Sequence, residues 1–225
     1  MTQFRSLPRP AQLYIVGIVL AGALVVVYGW AVHPVPPTPE KFGTLLYLGI
    51  GTQIAALRAI PWRRGHQMLH EPLLVATGLF APGGGVGLVA WLATFDGRVP
   101  GRTTAWWGFL FNRAMTAIAH VVPSLAVASV GDENSWWTLP IRTVLYASAS
   151  IGLNYILTGL VWAYVSRASV WTTLFENVGL STLFATLGLS FSGGIIYLLL
   201  QQPVGFVMSP ALFGFWRPVL CAIRG

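Results

Sequence analysis

The chain has 225 residues, of which 55% are hydrophobic and only 8% are charged. Soluble globular domains carry about a quarter of charged residues, so this composition excludes a water-soluble globule and indicates an integral membrane protein. The net charge of +7 comes almost entirely from arginines spread over short segments, which is typical of membrane orientation and argues against nucleic-acid binding. Because Cys221 is the single cysteine, an intrachain disulfide and a cysteine-rich metal site are also excluded.

Two apolar runs joined by a proline-rich connection open the chain. Residues 13–32 follow a basic leader with Arg5 and Arg9, which predicts a first transmembrane helix whose N-terminus lies in the cytoplasm. A cleavable signal peptide is the alternative, although no small-residue cleavage site of the usual form follows the run. The prolines of residues 33–39 cannot continue a helix, so we expect an external loop there and a returning span over residues 42–60.

The next apolar stretch, residues 71–95, is interrupted at residues 81–85, which read Ala-Pro-Gly-Gly-Gly. Proline removes a helical hydrogen bond and glycine weakens a helix, so one continuous span is not expected. The stretch forms either a broken single span or a hairpin of two short helices that returns to the side it left. The hairpin places eleven of the thirteen basic residues inside, whereas the single span divides them six to seven. The positive-inside rule therefore predicts the re-entrant hairpin.

The second half of the chain continues the alternation of spans. Residues 106–130 are predicted to cross outward and residues 143–165 to cross back. Residues 173–216 are too long for one helix and read as two helices with a tight external turn at residues 190–194. The predicted fold is an all-α membrane protein with a single polytopic domain over residues 1–225. It has about six transmembrane helices plus the re-entrant hairpin, and both termini are cytoplasmic in the inner (cytoplasmic) membrane.

Four polar residues stand in or at the mouth of these apolar runs: Asn112, Arg113, Asn154 and Glu176. A charge or amide in hydrocarbon costs about a few kcal/mol unless it is paired, so such residues are candidates for function. Helical rise puts Arg113 about 10 Å from the cytoplasmic start of its helix, at a depth comparable with Glu176, which predicts an ion pair. Asn154 is expected to hydrogen-bond across helices. The cluster is either a structural clasp or a polar pocket for a small ligand, with proton or ion translocation as a third interpretation.

Three histidines are weaker candidates for a metal or pigment site. His120 lies near mid-membrane, where it could ligate haem, a chlorin pigment or a metal. His66 and His70 are four residues apart beside Glu71 and could share one helix face, which resembles half of a metal site. The sequence identifies no distant third ligand and no nucleophile arrangement typical of an enzyme. The sequence does not identify a cofactor, and a non-enzymatic function is expected.

Four short features of the sequence occur together: Leu110-Phe111-Asn112, Leu153-Asn154 followed by Arg167 and Trp171, the upstream proline-glycine hairpin, and the exit at Arg217-Pro218. Together they resemble the N-terminal membrane-sensor domains of bacterial GGDEF and HD-GYP cyclic-dinucleotide signalling proteins. The resemblance implies a membrane domain that senses or anchors, with Asn112 and Asn154 as its carried-over residues. No GGDEF, HD or GYP signature occurs in the sequence, so no cyclic-dinucleotide activity is implied for it.

Three functions follow as hypotheses. The first is a sensor-like or small-ligand-binding membrane module that acts through another membrane or cytoplasmic protein, which predicts a roofed pocket near Asn112, Asn154 and Glu176. The second is the substrate-binding component of a small-molecule transporter, which predicts that such a pocket opens outward. The third is a structural accessory subunit of a larger membrane complex, holding pigment or haem at His120, which predicts no pocket. The lipid bilayer is an expected partner under all three, and nucleic acid under none.

Overall fold

The computed structural model describes residues 3–202 except 36–37, 58–59, 63–64, 68, 96, 132–136 and 179. A 3₁₀ turn at Phe4–Ser6 precedes the helices α1 (Arg9–Val32), α2 (Pro39–Ala56), α3 (Glu71–Phe80), α4 (Gly84–Leu92), α5 (Trp106–Ala128) and α6 (Thr138–Ser166). The helix α7 (Val170–Thr172), a π-helical turn (Thr173–Val178) and α8 (Leu180–Leu200) follow. Between α2 and α3, the strands β1 (Ile60–Trp62) and β2 (Gly65–Gln67) pair antiparallel.

Four of the described helices are long and apolar enough to cross a membrane: α1, α5, α6 and the segment Leu183–Leu200 of α8. Their ends follow local chemistry. Pro10 lies in the first turn of α1, where its missing N–H costs no helical hydrogen bond, and α6 ends at Arg167 in the left-handed conformation. The prediction of a multi-pass, all-α membrane protein is confirmed at this level, with α1, α5 and α6 near their predicted positions.

The predicted helical hairpin is confirmed in α3 and α4. The two helices are separated by residues 81–83, and the turn is closed by Gly83, whose φ of 69° favours glycine. The Gly83 N–H donates to the Ser124 hydroxyl oxygen at 3.0 Å, near the C-terminal end of α5. The opposite end of the hairpin returns to α2, where the Gln53 side-chain amide donates to the Phe95 carbonyl at 2.6 Å. Both legs of the hairpin therefore run between the same two ends of the bundle.

The hairpin lies inside the bundle. Helix α5 contacts α1, α3, α4 and α6, while α3 also packs against α2 and α8. Residues 71–78, the first eight of α3, are all buried. Irregular backbone such as residues 81–83 is tolerated at membrane depth only where protein or a wet cavity shields it, and the surrounding helices supply that shield.

Three local predictions are wrong. Residues 190–194 do not form a turn, because α8 continues through them as one helix: Gly193 and Gly194 there fit closely against α3 and α6 rather than ending the helix. Helix α2 ends at Ala56 instead of residue 60, since Ile60 already lies in β1. His66 and His70 do not share a helix face, because His66 is in β2 and α3 begins only at Glu71. The part of the predicted last helix beyond residue 202 lies outside the described residues.

Candidate functional site

A chain of buried polar groups crosses the middle of the bundle. The His120 Nε2 atom lies 3.3 Å from the Glu71 carboxylate, and His120 Nδ1 lies 3.1 Å from the Tyr146 hydroxyl. That hydroxyl in turn donates to the Leu74 carbonyl at 3.3 Å. His120 and Tyr146 are fully enclosed at 0% exposure, and Glu71 is 3% exposed. Three different helices, α3, α5 and α6, each contribute one ionisable side chain to this chain of contacts.

The sequence builds this chain through two small features of α3. Pro72 in the first turn fixes the start of the helix, so the Glu71 carboxylate projects from its N-terminal end, where a negative charge is favoured. Seven residues further along α3, Gly78 has no side chain, and the hydroxyl and ring of Tyr146 fill that space. Tyr146 can therefore approach α3 closely enough to reach the Leu74 carbonyl and His120 together.

Glu71 also opens onto a cavity of about 400 Å³. We call it the amide cavity, because the predicted site residues Asn112 and Asn154 both line it. Its other lining residues come from the ends of the α3–α4 hairpin, the first half of α5 and the second half of α6: His70, Glu71, Thr94, Arg98, Thr104, Trp107, Gly108, Phe111, Met115, Thr116, Thr158, Val161, Trp162 and Val165. The two asparagines predicted from sequence thus share one site with a carboxylate and a histidine.

The Asn154 amide has a local partner as well as the cavity. The Thr158 hydroxyl donates to the Asn154 amide oxygen at 3.5 Å and to the Met115 sulfur at 3.2 Å. The first contact lies within α6, whereas the second joins α6 to α5. The hydrogen bond of Asn154 described here thus lies within its own helix, and the contact from α6 to α5 is made by Thr158.

A second cavity of about 330 Å³ lies at the other end of the bundle. We call it the tyrosine cavity, since Tyr146 and Tyr197 line it together with the following residues: Lys41, Gly78, Leu79, Phe80, Pro82, Ser124, Val127, Ala128, Arg142 and Gln201. Helices α5 and α6 run antiparallel, and the tyrosine cavity takes the end of α5 and the start of α6. It is therefore opposite to the amide cavity, and Tyr146 reaches it from the buried chain.

Arg113 lies beside the amide cavity rather than in its lining. Its guanidinium donates to the carbonyls of Trp91 and Leu92, at 3.2 Å for Leu92, and stands 4.3 Å from the centre of the Phe109 ring. These carbonyls are at the C-terminal end of α4, where a cation is favourable. Arg113 thus fixes the returning leg of the hairpin to α5. Its predicted ion-pair partner Glu176 lies in the π-helical turn, and the side chain of Glu176 is outside the described residues.

The histidines are distributed differently from the sequence expectation. His70 is buried at the N-terminal end of α3, directly before Glu71. Its Nε2 atom lies 3.9 Å from the Glu71 carboxylate, so His70 and His120 both lie next to the same acid. The side chain of His66 lies outside the described residues. Within the described part of the chain, no group of three or more His, Cys, Asp or Glu residues could hold a metal ion. Because both ring nitrogens of His120 face protein groups, haem or pigment ligation there would require one of those contacts to break.

Glu71 and Tyr146 are the site residues that sequence reasoning missed. Glu71 stands next to a proline at a helix start, where an acid needs no special explanation, and Tyr146 is a single hydroxyl in an apolar helix. A signal was nonetheless present, because an acid in an apolar stretch requires a partner and His120 is the matching residue in the next span. The pairing of two such residues from different spans is what the one-dimensional pattern does not reveal.

In comparisons with known proteins, no protein family, no curated protein and no solved structure matches the chain. The class is therefore defined by the fold and the site alone. It is a multi-pass α-helical membrane protein with an enclosed helical hairpin and, at each end of the bundle, a cavity whose lining includes polar residues.

Proposed function

We propose that this chain is a non-enzymatic membrane module that binds a small polar ligand in the amide cavity and acts through a separate protein. The observation that carries the proposal is the meeting of Asn112, Asn154, His70 and Glu71 around one cavity of about 400 Å³. This volume is within the range of small-molecule sites, which combine mostly apolar walls with a few convergent polar groups. The ligand is a small organic molecule with hydrogen-bond donors and acceptors, which the amides can pair with, and a flat portion for Trp107.

The proposed orientation places the amide cavity on the cytoplasmic side of the inner membrane. Arg98 lines this cavity and Arg102 follows shortly after it, while Leu7 beside Arg5 packs against Phe111 at the same end. Lys41 and Arg142 lie at the opposite end, around the tyrosine cavity. This distribution supports a bundle with the amide cavity and the N-terminus on the cytoplasmic side. With six transmembrane helices plus the hairpin, as the sequence predicts, the C-terminus is cytoplasmic as well.

The same orientation separates the three hypotheses. A transporter component is expected to present its pocket outward, and an accessory subunit is expected to have none. The cavity with both asparagines lies at the arginine-rich end, and the tyrosine cavity at the other end lacks those amides. The arrangement therefore favours the sensor-like module, in keeping with the resemblance to membrane-sensor domains of cyclic-dinucleotide signalling proteins. Its output would come from a partner protein.

The ligand is tested by purifying the protein from native membranes in a mild detergent and recording its native mass spectrum. We expect an added mass from a small organic molecule, which is lost in Asn112→Leu and Asn154→Leu because leucine keeps the volume and removes the amide. Gln201→Leu is the matched control, since it makes the same change at the tyrosine cavity. An added mass that persists in both asparagine variants, or its absence in the native protein, would contradict the proposal.

The orientation is tested by cysteine labelling in intact cells. A Cys221→Ser background with Asn134→Cys should react with an impermeant thiol reagent added from outside, whereas Arg98→Cys should not. Reaction of Arg98→Cys from outside would place the amide cavity at the external face and favour the transporter alternative.

A further inference from the structure

The two cavities are joined by the buried chain of ionisable groups. Glu71 lines the amide cavity and Tyr146 lines the tyrosine cavity, at opposite ends of the bundle. Between them stands His120, at 3.3 Å from the carboxylate and 3.1 Å from the hydroxyl. Two contacts therefore connect a residue that lines one cavity to a residue that lines the other.

No other titratable group competes for His120 among the described residues that pack against it. Helix α3 presents Glu71, with His70 beside it, and α6 presents Tyr146. The helices α1 and α4 approach α5 through small residues, with Gly22 against Ala114 and Gly87 against Val121. An ionisable group held in such a setting is costly, and in membrane proteins chains of acidic and histidine residues form proton relays.

We propose that Glu71, His120 and Tyr146 form a proton relay between the amide cavity and the tyrosine cavity. Ligand binding in the amide cavity is a separate property, and the relay does not depend on it. The geometry favours a relay over a clasp because the two end residues of the polar chain, Glu71 and Tyr146, each line a cavity. A clasp between helices does not need its end residues to line cavities.

The transfer uses the two nitrogens of one imidazole. A proton that reaches the Glu71 carboxylate from the amide cavity passes to His120 Nε2, which leaves the carboxylate ionised and the ring cationic. The ring then gives its Nδ1 proton to the Tyr146 oxygen, while Tyr146 turns its own hydroxyl proton away from the Leu74 carbonyl and releases it toward the tyrosine cavity. All three groups end with their original charges, and one proton has crossed.

Three geometric conditions limit the rate of this transfer. The Tyr146 hydroxyl must turn away from the Leu74 carbonyl to which it donates. The carboxylate and Nε2 meet at an angle outside hydrogen-bond geometry, so the carboxylate must first rotate. The imidazole must also return to its starting tautomer before the next proton. A slow relay is therefore expected rather than a channel.

The relay is tested with the full chain reconstituted in liposomes that contain a pH-sensitive dye. A potassium gradient with valinomycin drives protons, and the dye reports their entry. We expect faster entry than in empty liposomes, with Tyr146→Phe and Glu71→Gln reduced to the level of empty liposomes. Tyr164→Phe is the matched control on the same helix, since Tyr164 contacts Tyr14 and is remote from the chain.

Each outcome decides the question. Native protein that admits protons no faster than empty liposomes would overturn the relay and leave the three residues as a structural clasp. Equal flux in the native protein and Tyr146→Phe would also overturn it. Because Tyr146→Phe removes only one oxygen, this variant gives the test if Glu71→Gln fails to fold. Loss of flux in Tyr146→Phe with retention in Tyr164→Phe supports the relay.

Discussion

The helices α1 and α3 divide the tasks of a membrane helix in opposite ways. Only Ala11, Ile15, Gly22 and Gly29 are buried among the 24 residues of α1, and many of its large apolar side chains, such as Leu13, Leu20 and Leu24, are exposed. In α3, which has ten residues, the first eight are buried, including the charged Glu71. The long helix α1 presents apolar side chains to the lipid, whereas the short helix α3 carries a polar group that lipid cannot solvate.

This difference shows that hydropathy does not indicate burial inside a membrane. Lipid is as apolar as leucine, so an apolar face is as stable against lipid as against another helix. Burial is instead required for what lipid cannot solvate, namely a carboxylate, a histidine or a broken helix. In this molecule all three occur in or next to the α3–α4 hairpin.

The largest effect is expected from removing the charge that α3 buries. Glu71→Ala leaves His120 without its acidic partner, so it should lower the free energy of unfolding by about 3 kcal/mol, the cost of breaking a buried pair. Glu40→Ala is the control: it removes an exposed acid from the first turn of α2, where the loss is about 0.5 kcal/mol. Unfolding in mixed detergent micelles with rising denaturing detergent measures both.

A double variant sharpens this prediction. Glu71→Ala combined with His120→Ala should cost less than the sum of the single changes, because each single change leaves one partner alone. Additive losses would show that the two side chains do not stabilise each other.

An intermediate effect is expected when a glycine is replaced by alanine in α3, compared with the same change in α1. Gly78→Ala should lower the free energy of unfolding by about 2 kcal/mol, because the new carbon overlaps the Tyr146 hydroxyl and ring. The same change at Gly17 in α1 meets no atom within 4 Å and should be neutral or slightly stabilising. Equal thermal stabilities of the two variants would refute the close contact between α3 and Tyr146.

The smallest effect is expected when one leucine is truncated to alanine in α3, compared with the same change in α1. Leu74→Ala in α3 leaves a space among packed neighbours, where Leu74 is 0% exposed, and should cost about 1 kcal/mol. The cost is smaller than in a soluble core because no transfer from water is involved. Leu24→Ala in α1, which is 69% exposed, should leave the melting temperature unchanged. A comparable loss at Leu24 would indicate that α1 packs against another protein rather than lipid.

Sequence patterns predicted the features that are local in the chain. Proline and glycine at residues 81–85 act on their own backbone, so the break between α3 and α4 was predictable. The same reasoning failed at Gly193 and Gly194, because glycine in α8 serves close packing instead: a side chain at either position would collide with α3 or α6. Glycine alone does not distinguish a turn from a helix contact, and tertiary packing decides.

The site was only half predictable for a related reason. Asn112 and Asn154 are conspicuous in apolar helices, and both line the amide cavity. Glu71 and Tyr146 are conspicuous only once three helices are brought together around His120. The order in which helices pack is not written in their periodicity, so the chain of contacts could not be inferred.

The most direct test of a polar interior behind a lipid-facing surface uses two positions on α6. In a Cys221→Ser background, Asn154→Cys places a thiol in the amide cavity, while Ile156→Cys places one on the exposed face, where Ile156 is 48% exposed. A charged thiosulfonate reagent reacts only with thiols that water reaches. In membrane fragments whose two faces are both accessible to the reagent, we expect modification of Asn154→Cys and none of Ile156→Cys. Equal modification of both, or of Ile156→Cys alone, would contradict the amide cavity.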